Sequence, residues 1–429
     1  MAIDRSVICA AMWRHQDIET NGDIRDCCAV LDNEIKDSEG RVFNVNTHKL
    51  SDEWNSERKK ALRLQMLRGE KPKGCWWCYD QESTTGHSVR TSFNNGVSDF
   101  ILEPLLKDSL ENNGHLSTPP ADFQMQTGNL CNLACKMCQP KLSIQVGKFY
   151  KQHFDHPKEV KFSKSRGFPT MVNNDSFDLV YDWPVQNKLS DVFDEYIKNG
   201  TIKRMYLTGG EPTIITENLE FLQLLIDNGQ AKNIGFDTNT NCTNINKKFL
   251  SIIEQFKSAR LAVSIDGMGD IAYIQRHPSN WKRIERNIDT LIEWAAENPN
   301  KRKINISTVI TALNFHHVLE VWDYMCSKFG KLNPAGGRMQ NPHFIAPLWE
   351  WKESSLGFGQ VPQSIAEQIA STFDQYQDKI TKNAFDAYKN ALNSGSFAPD
   401  FTAIHEVLDT IQRMHPDLNI REIYKIYYQ

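Results

Sequence analysis

The pattern of apolar and polar positions divides the chain near residue 120. Before that point the apolar runs are short and irregular, and they predict one helix over residues 52–68. From Phe123 onward, short β-prone runs alternate with helical segments, and in the segment 279–297 apolar residues recur at helical spacing, so that one stripe can pack against a sheet. Strands are predicted at residues 123–127, 204–208, 234–238, 261–265, 304–310 and 343–346.

This alternation predicts an α/β fold in which parallel strands are covered by helices, as in a partial (β/α)6 barrel. Helical patterns at 365–376, 384–392 and 401–414 predict a helical C-terminal extension. We therefore expect a cysteine-rich N-terminal domain over residues 1–118, a partial barrel over 119–350 with a polar insertion at about 140–200, and the extension over 351–429. In such barrels the chemistry lies at the C-terminal ends of the strands.

Composition narrows the class of protein. The 429 residues are 40% hydrophobic and 24% charged, which is typical of a globular protein, and the net charge of −4 gives no reason to expect a nucleic-acid-binding face. No apolar run approaches the roughly 20 residues of a membrane-spanning helix, and the N-terminus is too short and polar for a secretory signal. We expect a cytoplasmic protein, in which the ten cysteines stay reduced and the close-set ones point to metal or redox chemistry, while the isolated Cys242 and Cys326 are expected to be buried apolar side chains.

Three cysteines follow the first predicted barrel strand: Cys131, Cys135 and Cys138. Thiolates three and four residues apart on a loop can converge on one small object, and such soft ligands suit an iron–sulfur cluster or zinc. A closed structural zinc site needs four ligands, whereas a cubane cluster held by three cysteines leaves one iron open. A zinc loop and three buried cysteines are the alternatives.

A glycine-rich turn follows the second predicted strand, at Gly209, Gly210, Glu211 and Pro212. The two glycines allow a close backbone approach to a ligand. Glu211 adds an acceptor for an ammonium group, and Pro212 stiffens the exit from the turn. Taken alone, this stretch is better explained as an ordinary solvent-facing loop.

Together, the cysteine triplet and the turn about 70 residues later resemble the two motifs of the radical S-adenosylmethionine (SAM) superfamily. The resemblance implies that Cys131, Cys135 and Cys138 hold a catalytic 4Fe–4S cluster whose open iron binds SAM, and that the turn binds the amino group of SAM. One electron, from a donor such as flavodoxin or ferredoxin, would release a 5′-deoxyadenosyl radical that abstracts hydrogen from a substrate. Met137 stands where the family often has an aromatic residue, and it can pack over the cluster or the adenine.

The same resemblance implies further SAM contacts at the ends of later strands. Asn239 ends the third strand with polar neighbours, and Ser264 and Asp266 end the fourth, where the family places ribose or carboxylate contacts. Arg276 lies in a segment similar to one whose arginine can bind the cofactor carboxylate. The alternative for each polar residue is a helix cap or a turn stabiliser.

The N-terminal cysteines form a second candidate site. A hairpin of strands at 8–13 and 21–28, turning at its Asn-Gly pair, could bring Cys9 near Cys27. Cys75 and Cys78 are spaced as a common half-site for a cluster or zinc, so one site of four thiolates can be built. Cys28 would point to the opposite face of a strand from Cys27, and which of the two binds metal stays open.

This half of the chain resembles the twitch domain, a shortened relative of the SPASM auxiliary-cluster domain, through its Cys…Trp…Gly…Cys-Cys pattern and its Cys-Trp-Trp-Cys pair. The resemblance implies a second, auxiliary 4Fe–4S cluster that moves electrons or binds substrate. A structural zinc site with the same ligands is the alternative, because spacing does not separate the two.

The leading functional hypothesis is an enzyme that makes a carbon radical on its substrate, and family analogy favours a peptide or protein substrate. A small metabolite, nucleotide, lipid precursor or RNA is the second possibility, and the near-neutral charge argues weakly against RNA. The hypothesis from another class is a zinc-stapled binding protein without catalysis.

Overall fold

The computed structural model of the chain describes residues 4–30, 35–85, 88–156, 176–331, 356–377, 382–393 and 397–428. The chain forms two compact units, each assembled from separate stretches. The first comprises Met1–Asn129, Tyr181–Asp237 and Gln255–Lys257, and the second comprises Leu130–Val180, Thr238–Glu254 and Ser258–Gln429. The domains expected from the sequence are continuous stretches instead, and their boundaries near residues 118 and 350 stay predictions.

The strands in chain order are β1 (His15–Ile18), β2 (Ile24–Arg25), β3 (Asp122–Gln126), β4 (Ala134–Cys135), β5 (Arg204–Thr208), β6 (Gly235–Thr240), β7 (Ser258–Ser264), β8 (Arg276–His277) and β9 (Arg302–Ser307). The α-helices are α1 (Ala11–Arg14), α2 (Leu50–Trp54), α3 (Glu57–Leu67), α4 (Trp76–Thr85), α5 (Val89–Asn95), α6 (Asp99–Glu111), α7 (Ile144–Lys151), α8 (Trp183–Gln186), α9 (Leu189–Val192), α10 (Asp194–Lys198), α11 (Thr216–Asp227), α12 (Lys247–Ile253), α13 (Gly269–Gln275), α14 (Trp281–Glu297), α15 (Val318–Lys331), α16 (Gln363–Phe373), α17 (Lys382–Asn393), α18 (Thr402–Met414) and α19 (Ile420–Ile423).

The predicted parallel sheet is confirmed. Strand β6 begins in the first unit and ends in the second. The strand order is therefore β2-β1-β3-β5-β6 within the first unit and β6-β7-β9 within the second. Strand β3 is parallel to both β1 and β5, and β7 is parallel to β9. Five of the six predicted strands appear as β3, β5, β6, β7 and β9. The sixth, at 343–346, lies outside the described residues.

Helix α14 shows why the alternation of strands and helices was predicted correctly in the second unit. Its apolar stripe, which includes Ile284, Ile288 and Leu291, is buried as predicted. The helix begins at Trp281 because the side chain of Asn280 accepts the backbone N–H of Arg283 at 3.0 Å, which satisfies a donor that has no partner within the helix. The predicted C-terminal helices are likewise confirmed as α16, α17 and α18.

The prediction of an irregular region before residue 120 was wrong, since this region holds helices α1 to α6. The single helix predicted at 52–68 is two helices, α2 and α3, because the Ser56 side chain accepts the N–H of Lys59 and starts a new helix. The apolar pattern is weak here because charged side chains occupy the core. Lys59, Glu53 and Arg63 are fully buried.

Hydrogen bonds and ion pairs compensate for this burial. The Lys59 Nζ atom lies 3.1 Å from Asp26 and 3.5 Å from Glu53, while the Arg63 guanidinium donates to the backbone carbonyls of Met12 and Trp54, each at 2.9 Å. Buried charges persist in proteins only when they are paired in this way.

The N-terminal hairpin is present, but its first strand was placed too early. Residues 11–14 form α1, and the strand is β1, which pairs with β2 across the predicted turn. Strand β1 also adds to the sheet in parallel beside β3. This extra strand was not predicted, because its buried residues His15, Gln16 and Asp17 are polar.

The polar insertion contains several short helices in its described parts. Helix α7 belongs to the second unit, and the single helix predicted at 189–198 is divided into α9 and α10. The division lies at Phe193, which is fully buried. Among the described residues, none of the helices combines the length and the apolar character that a bilayer crossing requires.

Candidate cluster and cofactor sites

The three cysteines of the triplet lie in one buried group at the start of the second unit. Cys131 and Cys135 are buried, and they pack with Leu133 against the partly buried Met137 and Cys138. Met137 thus lies beside the thiols, and its packing over a cluster or the adenine stays a prediction. The triplet loop follows β3 directly, as expected for a site at a strand end.

Backbone pairing holds this loop in place. Strand β4, which ends in Cys135, is antiparallel to β8, so Cys135 lies opposite Arg276. The N–H of Lys136 donates to the carbonyl of Gln275 at 2.8 Å. The segment that carries Arg276 is therefore part of the framework of the triplet loop.

The electrostatic environment of the thiols suits metal ligands. Burial raises the pKa of Cys135 to about 12, and burial together with the neighbouring thiols Cys135 and Cys131 raises the pKa of Cys138. Such thiols lose their protons when a metal binds to the sulfur atoms. Soft sulfur donors of this kind fit an iron–sulfur cluster or zinc. In the ranges that the structure describes, no three His, Cys, Asp or Glu side chains are spaced to hold a single metal ion.

Two of the predicted cofactor contacts form a buried ion pair beside the triplet. The Nε atom of Arg276 donates to Asp266 at 2.6 Å, and its Nη1 atom lies 3.7 Å from the Cys135 sulfur. The other Asp266 oxygen accepts the N–H of Val309 at 2.7 Å. Although burial works against its charge, Asp266 and Cys135 raise the pKa of Arg276. The guanidinium is thus a fixed cation within reach of a cluster ligand, and its contact with SAM stays a prediction.

A loop after β6 contacts the triplet through Asn241, one of the polar residues at the end of the third predicted strand, where Asn239 was selected as the site residue instead. Its Nδ2 atom lies 4.0 Å from the Cys131 sulfur and donates to Asn132 at 2.9 Å. Its Oδ1 atom accepts the hydroxyl of Thr243 at 2.6 Å. The available signal was its position just past the third barrel strand. The residue chosen there, Asn239, lies inside β6 and is partly exposed.

The backbone of this loop adopts a rare conformation. Cys242 has a φ of +60°, in the left-handed region that β-carbons disfavour. Its N–H donates to the Thr240 hydroxyl at 3.0 Å, and its carbonyl accepts from the Asn287 side chain at 2.7 Å. These bonds hold Asn241 next to the triplet at the expense of local strain.

Ser264 is the last residue of β7 and is partly buried. It lies in register with Ser307 at the end of β9. It therefore occupies the predicted strand end, and its contact with SAM stays a prediction.

The glycine-rich turn lies at the end of β5 in the first unit. Gly209 and Gly210 have φ values of +75° and +38°, so both occupy the region that favours glycine. The buried Glu211 carboxylate accepts the Thr213 hydroxyl at 2.7 Å, and Pro212 begins a short 3₁₀ helix. Glu211 thus stabilises its own turn, and its contact with the amino group of SAM stays a prediction.

Four N-terminal cysteines line one cavity within the first unit: Cys9, Cys27, Cys75 and Cys78. Cys28 is not among the lining residues, so the structure gathers the four thiols that were expected to act together. Cys75 and Cys78 lie three residues apart on a continuous helical turn and can face the same side.

Burial dominates the electrostatics of this cavity. It raises the pKa of Cys9 to about 12, and it raises the pKa of Cys27, where Cys28, Cys9 and Cys75 add to the effect. Arg90 also lines the cavity and donates to the backbone carbonyl of Ile8 at 2.8 Å. Four thiols that line one cavity are soft sulfur donors of the kind that bind iron–sulfur clusters or zinc, although their spacing does not form a site for a single metal ion.

Comparison with known families decides between these readings of the cysteines. The sequence model of the radical SAM superfamily matches residues 125–321, and that of the iron–sulfur cluster-binding SPASM domain matches residues 9–79. Residues 125–321 therefore carry a radical SAM domain, and residues 9–79 carry a SPASM-type iron–sulfur domain. The first match contains the triplet, and the second contains the four cysteines that line the cavity. Iron–sulfur clusters of the 4Fe–4S type and SAM are therefore the cofactors of these domains.

Solved structures match the chain over part of its length. Native anSMEcpe with bound AdoMet is 20% identical, with a TM-score of 0.35 over 64% of this chain and 62% of that one. Streptococcus suis SuiB bound to S-adenosylmethionine is 13% identical, with a TM-score of 0.37 over 76% of this chain and 67% of that one. The chain thus spans less than two thirds of the length of the first of these structures. No protein of curated function matches the sequence.

Proposed function

We propose that this protein cleaves SAM reductively and uses the resulting 5′-deoxyadenosyl radical to abstract hydrogen from a peptide or protein. The observation that carries the proposal is the buried group of three thiols, Cys131, Cys135 and Cys138, inside the stretch that matches the radical SAM superfamily. Three thiolates leave one iron of a cubane cluster without a protein ligand. One electron passed to bound SAM yields methionine and the radical, which becomes 5′-deoxyadenosine when it takes a hydrogen atom.

The residues around the triplet have supporting roles. Arg276 places a buried positive charge 3.7 Å from the Cys135 sulfur, where it favours the thiolate form. Asp266 orients that guanidinium through the 2.6 Å bond. In the first unit, the left-handed backbone of Gly209 and Gly210 forms the turn proposed to bind the amino group of SAM. A small reduced protein such as flavodoxin or ferredoxin would supply the electron.

The proposed substrate class rests on the N-terminal SPASM-type domain, because relatives with auxiliary clusters often modify peptides or proteins. The four thiols around one cavity support a second cluster there. A small metabolite, nucleotide or RNA is the alternative substrate. The net charge of −4 favours a substrate other than RNA.

The activity is tested with anaerobically reconstituted protein, dithionite and SAM, by measuring 5′-deoxyadenosine. Replacing the triplet together, as Cys131→Ala, Cys135→Ala and Cys138→Ala, should abolish the product while leaving about half of the iron on the N-terminal thiols. Cys326→Ala is the matched control, since Cys326 lies outside both candidate sites and is partly buried. Loss of all iron from the triple variant would contradict two independent clusters.

The substrate class is tested with an extract of the source organism, divided into untreated, protease-treated and ribonuclease-treated portions. A peptide or protein substrate should stimulate 5′-deoxyadenosine formation in the untreated and ribonuclease-treated portions and lose this effect after protease digestion. Stimulation that survives both treatments would contradict the proposed class and favour a small metabolite. Sensitivity to ribonuclease alone would favour RNA.

A further inference from the structure

The loop that follows β9 in the second unit has no role in the chemistry described so far. It comprises residues 308–317 and is called the β9 loop. Three of its polar side chains, those of Thr308, Thr311 and Asn314, are fully buried. The Thr308 hydroxyl donates to the carbonyl of Ile265 at 2.8 Å. Because buried polar groups need hydrogen-bond partners, the partners of Thr311 and Asn314 show what this loop holds in place.

Asn314 connects the β9 loop to the ion pair beside the triplet. Its Nδ2 atom donates to the backbone carbonyls of Asp266 and Val309, each at 2.8 Å. The N–H of Val309 in turn donates to the Asp266 carboxylate at 2.7 Å. The β9 loop thus holds Asp266 through both its main chain and its side chain. Since Asp266 accepts the Arg276 guanidinium at 2.6 Å, the position of that guanidinium near the Cys135 sulfur depends on this loop.

Thr311 makes a second connection, to the residue that precedes Arg276. Its hydroxyl accepts from the Gln275 side chain at 2.8 Å, and the Gln275 carbonyl accepts the N–H of Lys136 in the triplet loop at 2.8 Å. The Oδ1 atom of Asn314 accepts the N–H of Thr311 at 2.6 Å. The two connections therefore start from one hydrogen-bonded turn of the β9 loop.

The C-terminal extension binds the β9 loop through two tyrosine hydroxyls. Tyr427 donates to the carbonyl of Ala312 at 2.7 Å. Tyr388, on α17, donates to the carbonyl of Phe315 at 2.9 Å, and the rings of these two residues stack at a centroid distance of 5.2 Å. Both tyrosine side chains are fully buried. The extension thus holds the backbone of the loop on each side of Asn314.

A third buried tyrosine in the extension separates the effect of a hydroxyl from that of aromatic packing. Tyr424 is fully buried, and its ring stacks with that of Tyr427 at a centroid distance of 6.4 Å. Its hydroxyl makes no hydrogen bond with any described residue. Removing the Tyr424 hydroxyl should therefore leave the β9 loop unchanged, whereas removing the Tyr427 hydroxyl deprives a loop carbonyl of its partner.

We propose that Tyr427 and Tyr388 are positioning residues for SAM binding, because they fix the β9 loop that holds Asp266 and Arg276 at the triplet. A binding contact is effective only when its side chains are held close to the required geometry, and residues outside the contact supply that precision. The C-terminal extension, to which the proposed chemistry assigns no role, would thereby tune the affinity for the cofactor. The inference rests on the proposed function, since it takes Arg276 to contact SAM.

The test compares Tyr427→Phe with the matched control Tyr424→Phe in anaerobically reconstituted protein. Two quantities should rise about fivefold in Tyr427→Phe: the SAM concentration that half-completes the change in the electron paramagnetic resonance spectrum of the reduced cluster, and the KM for SAM in 5′-deoxyadenosine formation. The kcat at saturating SAM and the iron content should stay near the wild-type values, because the hydroxyl acts on binding geometry rather than on the cluster ligands. Tyr424→Phe should match the wild type in all four measurements.

An unchanged SAM requirement in Tyr427→Phe would overturn the proposal. An equal rise in Tyr424→Phe would also overturn it, because packing rather than the hydrogen bond would then be responsible. If Tyr427→Phe does not retain iron, Tyr388→Phe is measured in its place, and loss of iron from both would show a role in folding and overturn the proposal. Failure of the proposed function is a separate outcome, seen as a wild-type protein that forms no 5′-deoxyadenosine and whose cluster spectrum does not respond to SAM.

Discussion

Gly209 offers the sharpest stability prediction, because the structure supplies both the perturbation and its control. A β-carbon at Gly209 would lie 2.7 Å from Cβ and 2.9 Å from Cα of Gln126, and the residue has a φ of +75°. Gly200 also has a positive φ, +61°, but a β-carbon there would meet nothing within 4 Å. The two substitutions to alanine therefore share the conformational cost and differ in the steric clash.

The magnitudes follow from these two contributions. A left-handed conformation costs a residue with a β-carbon about 1–2 kcal/mol, so Gly200→Ala should lower the free energy of unfolding by about that amount. Gly209→Ala adds an overlap with the backbone of β3, which cannot rotate away as a side chain could. Overpacking of this kind costs about 1–3 kcal/mol more, so the total loss should be about 2–5 kcal/mol.

The assay is urea-induced unfolding followed by tryptophan fluorescence, comparing midpoints of the first transition for the wild type, Gly200→Ala and Gly209→Ala. The clash also displaces the turn that is proposed to bind SAM, so Gly209→Ala should form less 5′-deoxyadenosine than Gly200→Ala. Equal midpoints for the two variants would refute the close approach of Gly209 to Gln126.

Two further predictions concern buried charge. Arg276→Met leaves Asp266 buried without its ion-pair partner and should cost about 3–5 kcal/mol in unfolding free energy. The double variant, Arg276→Met with Asp266→Asn, should cost less. A double variant as unstable as the single one would contradict this pairing. His15 is buried, and burial, followed by the charges of Lys59 and Arg204, lowers its pKa to about 3. The unfolded chain binds a proton at the ordinary pKa of about 6.5, so this contribution to stability is complete above pH 6.5 and declines as the pH falls toward 3. His15→Gln should therefore reduce the slope of unfolding free energy against pH, between pH 6 and 4.5, by about 1.4 kcal/mol per pH unit; an unchanged slope in urea titrations would contradict a neutral His15.

The sheet of the second half could be predicted because its strands bury alternate or continuous apolar residues. In β7, Leu261 and Val263 are fully buried, and in β5 Met205 and Leu207 are, so periodicity alone indicates these strands. The N-terminal region could not be predicted in the same way. Strand β1 buries three polar residues, and the break between α2 and α3 depends on a hydrogen bond of Ser56 rather than on any change in apolar pattern.

The candidate sites were likewise predictable from the sequence only in part. Motif spacing indicated which cysteines act together, since a few residues between thiols limit where the thiols can lie. The contact of Asn241 with Cys131 could not be found this way, because it depends on which atoms the side chain approaches. Asn241 reaches Cys131 through a backbone conformation at Cys242 that no residue type announces.

The charged residues beside the cysteine triplet have a physical reason to be there. A cluster bound by three thiolates carries net negative charge, and its surroundings must provide compensating charge without admitting water. Hydrophobic patterning cannot encode such compensation. The chain places Arg276 at the triplet, 3.7 Å from the Cys135 sulfur and paired with Asp266.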